Sequence, residues 1–151
     1  MTVTVEPGDP RHPQATALLQ ASHALMQSLF PPEDNHYLSI DALCTDDIRF
    51  FVAKDSGKII ACGALALKNG YAEVKSMFVD PTARGQGTAD AMLTRLIAEA
   101  KAANLPLLRL ETGNTLHAAH RLYARHGFQP CGPFGNYAAN VSSLFMEKRL
   151  P

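Results

Sequence analysis

The chain has 151 residues, with 14 basic and 14 acidic side chains and a sequence pI near 7.0. This length suits one domain with a substantial core, and the balanced charge argues against binding to nucleic acid or to a membrane surface, which uses a basic patch. No apolar run in the sequence reaches the length of a membrane span.

The first third of the chain predicts a strand followed by a helix. Thr2 to Glu6 alternates in polarity, as strands do, and Asp9-Pro10 offers a cap and a first-turn proline for a helix. Apolar residues at helical spacing extend this helix to about Phe30, where Pro31-Pro32 ends it. Two further elements are expected: a loop over residues 33–40 and a short helix at about 41–44.

The middle of the chain predicts three antiparallel strands joined by tight turns. The turn Asp55-Ser-Gly-Lys58 and the hairpin signal Asn69-Gly70 connect them. The expected strands cover residues 48–54, 59–67 and 71–79.

The second half of the chain predicts a crossover and a final pair of strands. A helix is expected from Thr88 to about Ala103, with Asn104 as a left-handed cap. The next strand covers residues 107–111, and a crossover of this length makes it parallel to strand 71–79. The remaining elements are a loop over 112–114, a helix over 116–126 ended by Gly127, a strand over 128–131, a loop over 132–142 and a strand over 143–149. The sequence therefore predicts one α/β domain, residues 1–151, on a mixed sheet.

A glycine-rich loop lies between the strand that ends at Asp80-Pro81 and the helix that begins at Thr88. It contains Arg84, Gly85, Gln86 and Gly87. The glycines allow successive backbone N–H groups to converge, and the helix start adds partial positive charge. Arg84 is a forked donor suited to phosphate oxygens. The stretch therefore predicts an anion cradle.

Other kinds of site fit the sequence less well. There is no GxxxxGK[ST] stretch, and the glycine loop lacks the third glycine of a dinucleotide fingerprint. His117 and His120 are three residues apart on a helix, but no third ligand stands at metal-site spacing, so we expect no metal. The cysteines Cys44, Cys62 and Cys131 match no metal or redox spacing, and their odd number without a signal peptide favours a cytoplasmic location.

Two motifs together resemble the GNAT superfamily of acyl-CoA-dependent N-acetyltransferases. Val79-Asp-Pro81 followed by Arg84-Gly-Gln-Gly87-Thr-Ala89 is similar to the family's acetyl-CoA motif, [R/Q]-x-x-G-x-[G/A]. Leu122-Tyr123-Ala-Arg-His-Gly127-Phe128 resembles its LYxxxGF segment. The predicted order of elements is similar to the family over nearly the whole chain. The further pairing of EVKSM with a C-terminal CGPFGNY and SLFMEK resembles a branch of small bacterial acetyltransferases.

The resemblance implies that acetyl-CoA binds where strands 71–79 and 107–111 splay apart. The pantetheine arm would pair with the backbone of Met77, Phe78 and Val79, and Asn114 is a candidate for a further contact. The pyrophosphate would be held by the N–H groups of the cradle, namely Arg84, Gly85, Gln86, Gly87, Thr88 and Ala89.

The resemblance also implies direct attack of an amine on the thioester. A lysine-like amine has a pKa near ~10.4, so a base must take its proton at neutral pH. Glu73 aligns with the strand glutamate that serves as base in some members, and Glu111 on the adjoining strand is the rival. A strand N–H near Phe78 would stabilise the oxyanion. Tyr123 fits the family's acid, which protonates the departing thiolate.

The acceptor is expected to be a primary amine of a small molecule or peptide. Four residues on the first helix and on loops near the expected mouth could line its pocket: His23, Met26, His36 and Tyr137. A module that binds acyl-CoA without catalysis is the alternative, and a homodimer is common in the superfamily.

Overall fold

Seven strands and three α-helices make up the computed structural model, which describes residues 3–151. The strands are β1 (Val3–Pro7), β2 (Ile48–Asp55), β3 (Lys58–Leu67), β4 (Ala72–Val79), β5 (Leu107–Gly113), β6 (Gln129–Cys131) and β7 (Ser143–Arg149). The helices are α1 (Pro13–Leu29), α2 (Thr88–Ala102) and α3 (His117–Arg125), with short 3₁₀ turns at Pro32–Asp34, Ala42–Cys44 and Pro81–Ala83. Thr2, the first residue of the predicted strand, lies outside the described residues.

The strands form one mixed sheet in the order β1-β2-β3-β4-β5-β7-β6. β1 to β4 are antiparallel neighbours, as the two predicted turns require. β4 and β5 are parallel and are joined through α2, so the predicted crossover is confirmed. The fold class, a mixed-sheet α/β domain, is also confirmed.

Side chains alternate between the two faces of the sheet, and each face packs into its own hydrophobic core. Phe51 and Ala53 of β2 face the larger core, which α2 and α3 complete. Phe50 and Val52 face the smaller one, which α1 and Leu43 complete. The helices of the described residues are too short or too polar to cross a membrane.

The ends of two helices show which local predictions were right. The last helix ends as predicted, since Phe128 N–H donates to Tyr123 O at 3.1 Å and Gly127 takes a φ of 87°. The predicted start of α1 was wrong. His12 is the cap, with Nδ1 accepting from Gln14 N–H at 3.2 Å, whereas Asp9 accepts from Arg11 N–H at 2.9 Å in the preceding turn.

β5 is longer than predicted, and its extra residues form one wall of the site described below. The sequence placed its end at Glu111, but Thr112 and Gly113 continue the strand because they pair with Leu144 and Ser143 of β7. The α1 cap residue Phe30 lies directly over Gly113, where it replaces the side chain that glycine lacks.

Gly113→Ala should destabilise the fold, because the added Cβ would overlap the Phe30 ring. Overpacking of this kind costs about 1–3 kcal/mol, which urea unfolding would measure. Gly132→Ala is the matched control, since nothing lies within 4 Å of its Cβ position, and we expect a change below about 0.5 kcal/mol. Equal stability of the two variants would contradict this packing.

Candidate active site

β4 and β5 lie side by side for only three residues and then diverge. Their pairing covers Ala72–Val74 of β4 and Leu108–Leu110 of β5, while β4 runs on to Val79 and β5 to Gly113. The backbone of residues 75–79 therefore has no β5 partner on this edge. Met77, Phe78 and Val79, the predicted pantetheine contacts, all lie on this unpaired stretch. The divergence is the V-shaped opening that the resemblance implies.

A β-bulge at Ser76 reshapes β4 where the opening begins. Ser76 has a φ of 57°, and the register between β3 and β4 shifts between Cys62 and Ala64. Positive φ in a non-glycine residue is uncommon, and bulges re-aim the side chains that follow. The sequence showed no sign of this bulge, since serine has no strong preference for the conformation.

The diverging strands open a cleft with an empty volume of about 810 Å³, part of which is open to solvent. The 31–37 segment and α3 close its sides. Its apolar lining includes Met26, Phe30, Met77 and Leu116, and its polar lining includes Asp34, His36, Lys75, Glu111 and Tyr123. A cleft with an apolar body and a few converging polar groups is typical of a small-molecule site.

Glu111 and Tyr123 lie in this cleft, and each has a raised pKa. Burial raises the pKa of Glu111 above its ordinary value of 4.5, although the hydrogen bond that Ser143 Oγ donates to Oε2 at 2.8 Å acts in the opposite direction. Burial, together with the charge of Glu111, raises the pKa of Tyr123 to about 12. Glu111 can therefore accept a proton more readily than an exposed glutamate, and Tyr123 carries its proton at every physiological pH.

Glu73 is occupied by contacts with its neighbours. It is 4% exposed, and its Oε2 accepts from Tyr137 Oη at 2.5 Å and lies 3.4 Å from Lys75 Nζ. Glu73 and Lys75 therefore form a buried ion pair. Burial, followed by the hydrogen bond to Glu73, raises the pKa of Tyr137 well above its ordinary value, so the hydroxyl acts as donor. Glu73 does not line the cleft, unlike Glu111.

The predicted anion cradle combines two glycines in left-handed backbone with the start of α2. Gly85 and Gly87 have φ angles of 79° and 78°, and nothing lies within 4 Å of either Cβ position. α2 begins at Thr88, and its first intrahelical bond is Ala91 N–H to Gly87 O at 3.0 Å, so the N–H groups before Ala91 have no partner within the helix. Thr88 is 2% exposed and its Oγ1 has no hydrogen-bond partner.

The other polar side chains of the cradle are exposed. Arg84 and Gln86 are exposed on the loop, and the Arg84 guanidinium lies 5.9 Å from the centre of the Phe78 ring. Asp80 anchors the loop by accepting from Thr82 N–H at 3.0 Å. Free N–H groups at a helix start and an exposed guanidinium on the same loop are groups that bind phosphate oxygens.

The remaining predicted site residues have different surroundings. Asn114 is exposed and its Nδ2 donates to Val141 O at 2.6 Å, so it holds the 132–142 loop. Met26 and His36 line the cleft. His23 instead stacks on Tyr37, with ring centroids 4.1 Å apart.

The histidine pair on α3 and the cysteines have other surroundings in the structure. His120 Nε2 lies 2.8 Å from Gly113 O and is engaged there. Within residues 3–151, no three His, Cys, Asp or Glu side chains are grouped to hold a metal ion. All three cysteines are free thiols, and burial raises the pKa of Cys62 to about 12.

Sequence reasoning missed several residues that shape the cleft. Ser142 Oγ donates to Asp34 Oδ2 at 2.6 Å and closes the cleft rim between segments 108 residues apart in sequence. Phe30 covers the end of β5. No local signal marks these residues, because each acts through a contact with a distant segment.

Comparisons with known proteins agree with this geometry. The model of the acetyltransferase (GNAT) family matches residues 16–128 of the chain. A protein of Azospirillum brasilense named IAA acetyltransferase is 43% identical over 150 residues, which cover 98% of each chain. A crystal structure from Klebsiella pneumoniae, provisionally described as an acyl-CoA N-acyltransferase, is 32% identical and has a TM-score of 0.83 over 99% of this chain and 98% of its own.

A further structure shares the fold with much lower sequence identity. An N-acetyltransferase from Thermoplasma acidophilum in complex with coenzyme A has a TM-score of 0.75 at 15% identity, covering 99% of both chains. The family match, the two extensive sequence and structure similarities and the diverging strands beside a glycine-rich loop agree with one another. The chain belongs to the GNAT family and is an N-acetyltransferase.

Proposed function

We propose that this N-acetyltransferase moves the acetyl group of acetyl-CoA to a primary amine of a small molecule or peptide by direct attack. The observation that carries the proposal is that Glu111 and Tyr123 line one cleft at the point where β4 and β5 diverge. One group can take a proton from the amine, and the other can give a proton to the leaving group.

The donor half of the site would consist of the cradle and the free edge of β4. The N–H groups from Arg84 to Ala89 would hold the pyrophosphate, and the backbone of Met77, Phe78 and Val79 would pair with the pantetheine arm. Acetyl-CoA supplies an acyl group activated as a thioester. A strand N–H near Phe78 is the proposed donor to the oxyanion.

The contacts of the two glutamates favour Glu111 as the base. Glu111 lines the cleft, and the Ser143 hydrogen bond on its Oε2 leaves its other carboxylate oxygen without a hydrogen bond from the described residues. Glu73 is bound by Tyr137 and Lys75 and does not line the cleft. A base must reach the proton that it takes, so geometry ranks Glu111 first.

Tyr123 is the proposed acid. Burial makes proton transfer from its hydroxyl cost more free energy than transfer from an exposed tyrosine. With a pKa of about 12, proton transfer to a thiolate of pKa near ~8.5 is uphill by about 5 kcal/mol, rather than the ~2 kcal/mol of an exposed phenol. A turnover of about 10 per second corresponds to a barrier of about 16 kcal/mol. The transfer fits within that barrier.

Tyr123→Phe should lower kcat about 100-fold and leave the KM for acetyl-CoA within about twofold, because only the hydroxyl proton is lost. The ring packing against Phe128, with centroids 5.7 Å apart, remains. Steady-state thiol release with a saturating amine measures both constants. An unchanged kcat would rule Tyr123 out as the acid.

The alternative is a module that binds acyl-CoA without transferring the acetyl group. Thiol release from acetyl-CoA with alaninamide, ethanolamine, 1,4-diaminobutane and lysine would separate the two, and IAA belongs in the panel because the Azospirillum relative is named for it. Tight CoA binding without release above hydrolysis would favour the module. The cytoplasmic location, the single domain and the homodimer stay predictions.

A further inference from the structure

A buried cluster of three polar side chains lies beside the cleft. Lys75 Nζ donates to His36 O at 2.8 Å and to Tyr137 Oη at 2.9 Å, and it lies 3.4 Å from Glu73 Oε2. Tyr137 Oη in turn donates to the same Glu73 oxygen at 2.5 Å. The side chains of Lys75 and Glu73 are only 10% and 6% exposed. The Lys75 ammonium therefore makes two hydrogen bonds and one ion pair within the cluster.

This cluster joins two segments that are far apart in sequence. His36 belongs to the segment after α1, and Tyr137 belongs to the loop between β6 and β7. Their rings also meet edge to face, with centroids 5.0 Å apart. Lys75, which projects from β4 between them, is the only one of the three cluster side chains that also lines the cleft. The same two segments are also connected by the Asp34–Ser142 hydrogen bond at the rim of the cleft.

The buried cluster and the Asp34–Ser142 hydrogen bond border the part of the cleft that holds Glu111. Ser142 binds Asp34, and the next residue, Ser143, binds Glu111 at 2.8 Å. Asp34, His36 and Ser142 line the same cleft as Glu111, so the position of this wall depends on how the 34–37 segment packs against the 137–143 segment. A shift of that wall would change where an acceptor rests relative to the carboxylate.

We infer that Lys75 and Tyr137 are positioning residues for the acceptor amine: through Glu73 they fix the 34–37 segment against the 137–143 segment beside Glu111. The inference rests on the proposed function, since it takes Glu111 as the base. It gives Glu73 a role different from proton transfer. Lys75 and Tyr137 take no part in proton transfer either, and the cradle for acetyl-CoA lies outside the cluster.

Tyr137→Phe is the sharpest test, because it removes one hydroxyl and keeps the ring that packs on Phe134 and Phe145. We expect the KM for the acceptor to rise about tenfold, the effect of one lost hydrogen bond to a charged group. The KM for acetyl-CoA should stay within about twofold. The probe is whichever of alaninamide, ethanolamine, 1,4-diaminobutane and lysine the unmodified protein uses fastest.

Two further variants separate positioning from general loss of structure. Tyr71→Phe makes the same chemical change in the same aromatic group, since Tyr71 meets Phe134 edge to face, but it leaves the cluster intact and should leave both KM values unchanged. Lys75→Met should raise the acceptor KM, and Lys75→Arg should recover most of the loss because arginine can still donate to His36 O and Tyr137. The Tyr137→Phe/Lys75→Met double variant should be little worse than Lys75→Met.

The outcomes distinguish the inference from the function on which it rests. If the unmodified protein releases thiol with an amine and Tyr137→Phe has the same acceptor KM, the inference is overturned alone. A parallel rise of both KM values would also overturn it, because it would indicate a general structural effect. If the unmodified protein uses none of the amines, the proposed function fails and the inference fails with it.

Discussion

Glutamine in place of Glu111 should lower kcat/KM for the amine by about 100-fold or more at pH 7, because general-base catalysis contributes roughly 10²–10⁴ in rate. The pH–rate profile should change in shape as well. In the unmodified protein the rate rises with pH as Glu111 loses its proton, and burial places this rise above pH 4.5. The variant should lose that rise and follow only deprotonation of the amine.

The stability of the Glu111→Gln variant shows whether its loss of rate comes from a damaged fold. A carboxyl group whose pKa is raised on folding binds its proton more tightly in the folded state, so its favourable contribution is present at low pH and is lost as pH rises through the folded pKa. At pH 7 there is no such contribution to lose, and glutamine can still accept the Ser143 hydrogen bond. The melting temperature at pH 7 should therefore be unchanged or higher.

Glu73→Gln is the matched comparison, with the opposite pattern. The rate of this variant should still rise with pH as Glu111 loses its proton, which is the acidic limb of the profile. Its thermal stability should fall, because Lys75 is left buried without its carboxylate. Breaking a buried pair costs about 3–5 kcal/mol. If Glu73→Gln lost the limb and Glu111→Gln kept it, the assignment of the base would be reversed.

Short-range chemistry in the sequence predicted most of the fold. The turns at Asp55–Lys58 and Asn69-Gly70 and the cap at Gly127 depend on residues a few positions apart, and all three are present. The start of α1 shows the limit of this reasoning. Gly8 N–H bonds Phe50 O at 3.0 Å and prolongs the β1–β2 pairing, so residues 9–12 must turn before the helix begins.

For the catalytic base, the sequence left two candidate glutamates and could not decide between them. Glu73 and Glu111 lie on neighbouring strands, and nothing near either one in sequence distinguishes them. The contacts that do so come from Tyr137, 64 residues beyond Glu73, and from Ser143, 32 residues beyond Glu111. Contacts of that separation follow from how the 132–142 loop packs, for which the sequence carries no periodic signal.

Valine in place of Gly87 should weaken CoA binding by at least about 100-fold, or about 2.7 kcal/mol. At Gly87 the open space above the backbone, with no atom within 4 Å of the Cβ position, is where the pyrophosphate would approach the N–H groups. A branched side chain would fill that space. Isothermal calorimetry with CoA measures the loss directly and needs no acceptor.

The variant must be separated from the strain that valine brings at a φ of 78°. Left-handed backbone costs a branched residue roughly 1–2 kcal/mol, so stability will fall whether or not the cradle binds phosphate. Gly70→Val is the matched control, because Gly70 has a φ of 85° and an equally open Cβ position in the turn before β4, at the other end of that strand. It should lose similar stability and keep its CoA affinity. Retained affinity in a folded Gly87→Val protein would show that the phosphate does not approach this backbone, and the donor site would have to lie elsewhere.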